Sequence, residues 1–129
     1  MRKVINTDKA PAAIGPYVQA VVTNGLVYTS GQLPIDVQTG EMPDSIEEQT
    51  KLSLANVKSI LEEAGSGLDQ VVKTTVFLKD MNHFAAMNEV YESFFSVESF
   101  PARSAIQVAK LPKDALVEIE AVAVIKDKE

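Results

Sequence analysis

Apolar and polar positions divide this chain into short alternating runs and two longer stripes at helical spacing. Val18–Val22 is rich in β-branched residues and predicts a strand. Asn24-Gly25 follows it, a dipeptide that tolerates the two consecutive positive φ angles of a tight hairpin turn. Leu26–Gln32 is then the return strand, ended by Gly31 and Pro34, and residues 36–43 form a polar loop. Ser45 and Glu48 have capping-box spacing and open a helix. Its apolar stripe is Leu54, Val57, Leu61 and Ala64, with Ile60 beside them, and Gly65 stops it. Val71–Leu78 is a β-branched run and predicts a strand. Asn82 can cap a second helix over His83–Phe95, whose seam is Phe84, Met87, Tyr91, Phe94 and Phe95. Ala105–Val108 predicts a strand, 111–114 a turn, and Val117–Ile125 the last strand.

The expected order is β-β-α-β-α-β-β, an α/β (α+β) single domain spanning residues 1–129, with one mixed sheet and both helices on one face. The last strand adds a condition. Val117, Ile119, Ala121, Ala123 and Ile125 point to one side, and Glu118, Glu120, Val122 and Val124 to the other. Both sides carry apolar residues, so both require cover. Two helices cover one face only, which leads us to expect an oligomer packed through the sheet.

Composition narrows the chemistry. The chain has 129 residues, enough for one core without staples. Its net charge is −6 with no Lys/Arg cluster, so no nucleic-acid partner is expected. There is no cysteine, which excludes disulfides, thiolate zinc sites and a thiol nucleophile. One histidine, His83, cannot build a histidine-rich metal centre, and we expect it to face solvent. No apolar run is long enough for a membrane span, and Met1–Asp8 has no apolar signal core. The expectation is a cytoplasmic protein without membrane partner, metal or organic cofactor.

Few residues remain as candidates. Arg103 lies in Phe100-Pro101-Ala102-Arg103-Ser104, where Pro101 stiffens a turn before a β-rich run. It is either a surface arginine or a fork for a planar carboxylate or phosphate, since a guanidinium stays charged and binds such anions bidentately. Glu118 and Glu120 share a face with Val122 and Val124. Either they lie at a solvated strand end, or burial raises a carboxyl pKa toward the range of a general base. Asn88 falls on the second helix's seam, as a boundary residue or a pocket amide. Tyr17 is a packing residue or a ligand contact, and Ser30-Gly31 can offer a hydroxyl and an open N–H. No P-loop, Rossmann or nucleophile-elbow pattern is present.

Five ordered blocks carry a resemblance: Ala12–Ala20 (Ala-Ala-Ile-Gly-Pro-Tyr-Val-Gln-Ala), Tyr28–Pro34, Asn82–Phe95, Phe100–Ser104 and Leu111–Glu120. Together they resemble the Rid (reactive intermediate deaminase, or YjgF) family, in its archetypal deaminase subgroup, over essentially the whole chain. The resemblance implies a chorismate-mutase-like fold and a homotrimer with its sheets in a central barrel and its sites in subunit clefts. It implies hydrolysis of 2-imino acids such as 2-iminobutanoate and 2-iminopropanoate to 2-keto acids and ammonia. Arg103 would bind the substrate carboxylate and Glu118 would hold or activate water. Tyr17 and Asn88 would line the pocket, Ser30 and Gly31 its rim, and the Ala105 main chain would donate to the ligand. Many members have cysteine where this chain has Ala105, which argues against covalent chemistry here. Two other readings stay open: a non-enzymatic trimer that binds or senses small carboxylates, and a ribonuclease or translation inhibitor, which the charge disfavours.

Overall fold

In the computed structural model, which describes residues 2–126, one six-stranded sheet carries two helices. The elements are β1 (Lys3–Ile5), β2 (Ala20–Thr23), β3 (Leu26–Thr29), α1 (Ile46–Glu63), β4 (Val71–Leu78), α2 (Phe84–Ser93), β5 (Ala102–Gln107) and β6 (Val117–Val124). The strand order is β1-β2-β3-β6-β4-β5. All pairings are antiparallel except β4 with β5. The chain thus makes two strand-helix-strand units, through α1 and α2, with β6 inserted between β3 and β4.

Local chemistry accounts for most boundaries. Asn24 and Gly25 both have positive φ, 52° and 78°, so the β2–β3 turn is the tight one the dipeptide favours. Ser45 caps α1 by accepting from the Glu48 N–H at 3.1 Å. Gly65, at φ 87°, follows the last helical residues as a left-handed stop.

Several expectations need correction. β1 is an additional strand, so the order is β-β-β-α-β-α-β-β; three residues are too few to show an alternation. β2 begins at Ala20, because the Val18 and Gln19 carbonyls are turned to Ser30. β3 ends at Thr29, and Gln32 meets Ile119 only as an isolated bridge. Asp80, not Asn82, caps the entrance to α2, accepting from the Asn82 N–H at 2.9 Å above a 3-10 turn at Met81–His83. β5 begins at Ala102, so Arg103 is a strand residue in register with Thr74 rather than part of the turn. His83 is half-buried, with its Nδ1 out of contact with water.

The alternation in β6 sorts the sheet into two faces. Val117, Ile119, Ala121 and Ala123 are buried beneath the helices. They pack with Val57, Ile60 and Leu61 of α1, and with Met87 and Tyr91 of α2. On the other face Val4, Val21, Tyr28 and Val122 form one cross-strand row. Val4 is 50% and Tyr28 44% exposed there. Among the described residues no element covers that row.

α1 also has a polar stripe, Gln49, Ser53 and Asn56, at helical spacing. Ser53 donates to the Gln32 carbonyl at 2.7 Å, and Asn56 donates to those of Leu33 and Ile35 at 3.0 Å each. Gln49 donates to Pro43 and accepts from the Leu116 N–H. These bonds satisfy backbone groups that burial would otherwise leave costly, and they hold the 32–35 loop against the sheet.

Candidate functional site

The residues singled out in the sequence fall into two clusters on opposite faces of the sheet. The first surrounds Arg103. Thr74 is its register partner on β4, so both side chains point toward α2. Residues 84, 88 and 91 of α2 lie on one helix face, at i, i+4 and i+7. All three meet the guanidinium. Asn88 Oδ1 accepts from Nη1 at 2.6 Å, and Cζ lies 4.7 Å from the Tyr91 ring centre and 5.4 Å from that of Phe84. Tyr91 Oη is bonded to Thr74 Oγ1 at 2.6 Å in the buried interior. Burial pushes the Tyr91 phenol up; the Thr74 bond and the Arg103 charge act against this. Arg103 forms no ion pair with any described carboxylate, in a chain with 18 acidic and 12 basic residues. It is a half-buried cation with no ion-pair partner among the described residues.

β5 is a sheet edge, and its backbone adds donors. The Val108 N–H bonds the Leu78 carbonyl at 2.9 Å, so even-numbered residues of β5 address β4. The main-chain N–H groups of Arg103 and Ala105 consequently face the open edge. Ala105 itself packs its methyl against the α2 cluster. The guanidinium and these N–H groups together suit a small planar anion.

The second cluster lies on the open face. Tyr17, Ser30, Gly31 and Glu118 line a cleft of 990 Å³, and Lys113 and Gln19 lie along its wall. Gly31 is there for space: a Cβ on it would overlap the Glu118 carboxylate and lie 2.8 Å from Glu118 Cδ. Partial burial raises the Glu118 pKa above the ordinary carboxylate range, and the negative charge of Glu120 on the same face adds to it. Glu120 faces Thr75 on that side. Ser30 uses its hydroxyl proton on the Val18 carbonyl at 2.6 Å, and so works as a strut behind Tyr17. Tyr17 is half-exposed.

Sequence reasoning passed over Gln19 as a site residue. It is 2% exposed; its Oε1 accepts from the Thr7 N–H at 2.7 Å, and its amide donates to Thr7 and Pro11. It fastens the N-terminal strap to the cleft. A buried glutamine beside two apolar residues was the available signal, since a buried amide must find partners. Phe84 and Tyr91 read as seam residues only; their position one turn either side of Asn88 was the hint of a second role.

The two clusters do not meet within one chain. β4 separates β5 from β6, and Arg103 aligns with Ala121, three residues from Glu118. That is about 10 Å along the strands and about 10 Å across them, with the side chains on opposite faces. Among the described residues no three metal-ligating side chains converge, and no helix is long and apolar enough to cross a membrane.

Comparisons with known proteins agree with this fold. The family described as endoribonuclease L-PSP matches residues 7–125. A RutC family protein of Pasteurella multocida is 58% identical, over 96% of this chain and 98% of its own. A 2-iminobutanoate/2-iminopropanoate deaminase of Escherichia coli is 53% identical over the same shares, 96% and 98%. The crystal structure of E. coli TdcF with bound serine superposes with a TM-score of 0.91 at 50% identity, covering 96% of this chain and 99% of that one. The chain belongs to the endoribonuclease L-PSP family, the Rid or YjgF family that its sequence blocks resemble.

Proposed function

We propose that this protein hydrolyses 2-imino acids, with 2-iminobutanoate and 2-iminopropanoate as substrates, releasing a 2-keto acid and ammonia in the cytoplasm. The observation that carries the reading is Arg103 at an open strand edge, held by Asn88 and without an ion-pair partner among the described residues, complemented by a carboxyl of raised pKa on the other face. Each cluster is half of a site. In a homotrimer packed through the uncovered sheet face, the Arg103 edge of one copy enters the Glu118 cleft of the next. The deaminase relative supports the reaction class, and the serine held by TdcF supports recognition of a small amino-acid-like carboxylate.

The chemistry asks little of the protein. Arg103 and the Ala105 N–H grip the carboxylate and orient C2. Glu118 accepts a proton from water as the water oxygen bonds C2 and the C=N pair moves to nitrogen. The carbinolamine then collapses: its nitrogen, already protonated in the iminium form of the substrate, takes the proton from Glu118 as the C–N bond breaks, and the freed Glu118 carboxylate takes the hydroxyl proton as the C=O forms and passes it to the departing ammonia. Fixed geometry and one general base supply the acceleration, the base about 10²–10⁴-fold. Tyr17 and Asn88 border the reacting groups. The −6 charge, and a histidine outside the cleft lining, favour this small anion over RNA.

The test is a dehydratase-coupled assay. Added protein should accelerate 2-ketobutyrate release from a threonine dehydratase reaction, and Arg103→Ala should abolish the gain. An unchanged gain with folded, assembled Arg103→Ala protein overturns the proposal. Glu118→Gln separates enzyme from sensor: hydrolysis should fall about a hundredfold or more while 2-ketobutyrate binding persists.

A further inference from the structure

We propose that Tyr91, locked by Thr74, is a positioning residue that sets the orientation and anion affinity of Arg103. The inference rests on the reading of Arg103 as the carboxylate fork, and concerns how that fork is held. A free arginine side chain has many rotamers, and ordering them on binding weakens affinity. Here the ordering is already done. The Tyr91 ring lies 4.7 Å beneath the guanidinium, Phe84 flanks it at 5.4 Å, and Asn88 accepts one Nη1 proton at 2.6 Å. Of the guanidinium donors, only Nη1 has a hydrogen-bond partner among the described residues.

The ring could not hold the cation if it tilted freely. Its hydroxyl is tied to Thr74 at 2.6 Å, and Thr74 is 1% exposed on the central strand β4. Thr74 is also the register partner of Arg103. One residue of β4 therefore fixes the backbone next to the arginine and the aromatic plate under it. Phe95 packs against Tyr91, at 4.8 Å between ring centres. A purely structural pair would need neither the alignment with Arg103 nor the ring beneath its charge.

The experiment reads the guanidinium directly. The chain has only two arginines, Arg2 and Arg103, so Nε–H NMR gives two resolvable signals. In the wild type the Arg103 signal should report hindered motion, and calorimetry should give the Kd for 2-ketobutyrate. Tyr91→Leu should free the signal and raise Kd about tenfold, the scale of a partly desolvated cation–π contact. Thr74→Val should raise Kd about threefold, with KM following and kcat within twofold of wild type. Thr74→Val/Tyr91→Phe removes both hydroxyls, so no buried group is left unpaired and stability should recover. In that double variant a positioning role keeps Kd raised and the Arg103 signal mobile. Recovery of both alongside stability, or an unchanged Kd in Tyr91→Leu, overturns the inference. Wild-type binding without hydrolysis would strike only the deaminase reading; no wild-type binding would remove both.

Discussion

The two faces of the sheet differ in how completely one chain satisfies them. Beneath the helices, Val117, Ile119 and Ala123 are fully buried, and polar groups such as Ser53, Asn56 and Thr74 have partners. On the other face Val4, Val21, Tyr28 and Val122 form an uncovered apolar row beside two carboxylates. The closed face immobilises a cation, Arg103; the open face raises the pKa of a carboxyl, Glu118. The lesson is that each face prepares one chemical group, and neither face has both. Under the proposed function, the anion grip of one copy and the base of another complete one site.

The comparison can be broken most strongly by exchanging core for surface chemistry. Ile119→Ala on the closed face should lower stability by about 2–5 kcal/mol, because a filled position becomes a cavity. Tyr28→Glu on the open face should change single-chain stability by less than about 1 kcal/mol and instead dissociate the assembly. Urea unfolding with light scattering separates these outcomes; equal unfolding losses without dissociation would dissolve the distinction between the faces.

Gly31→Ala should act between those extremes. The added methyl pushes away the carboxylate of Glu118, the mobile end of a side chain, so folding should change by less than about 1 kcal/mol. Hydrolysis should fall about tenfold to a hundredfold, as a displaced base loses its geometry. Ligand binding at Arg103, measured by calorimetry, should be nearly unaffected.

The smallest effect is a pH dependence. Glu118 has a folded pKa raised above its unfolded value, so its protonated form is favoured by folding. That contribution is present below the unfolded pKa and is lost as pH rises through the folded one. Glu118→Gln should therefore be more stable than wild type at neutral pH, and the difference should vanish below the ordinary carboxylate range. Chemical denaturation across pH checks the sign.

Much of this was legible in the sequence. The β6 alternation announced two apolar faces, and the absence of a third helix announced that one would lack cover. Asn24-Gly25 and Ser45 specified their turn and cap through local rules. What escaped depended on partners distant in sequence. β1 is held by β2 pairing rather than by its own pattern, and β5 extends to Ala102 because β4 offers a parallel ladder from Lys73. The same ladder turned Arg103 toward α2 and away from Glu118, a separation no spacing rule contains. Five blocks named the candidate residues, but their division between two faces required the register.

The central claim is that Arg103 and Glu118 act across a subunit boundary, and complementation tests it most directly. Arg103→Ala and Glu118→Gln chains, each inactive alone, are unfolded together, refolded as mixed assemblies and assayed for 2-iminobutanoate hydrolysis. In a random equal mixture about one interface in four pairs an intact Arg103 with an intact Glu118, so about a quarter of wild-type activity should return. Mixed assemblies verified by mass that remain inactive would contradict a site shared between copies.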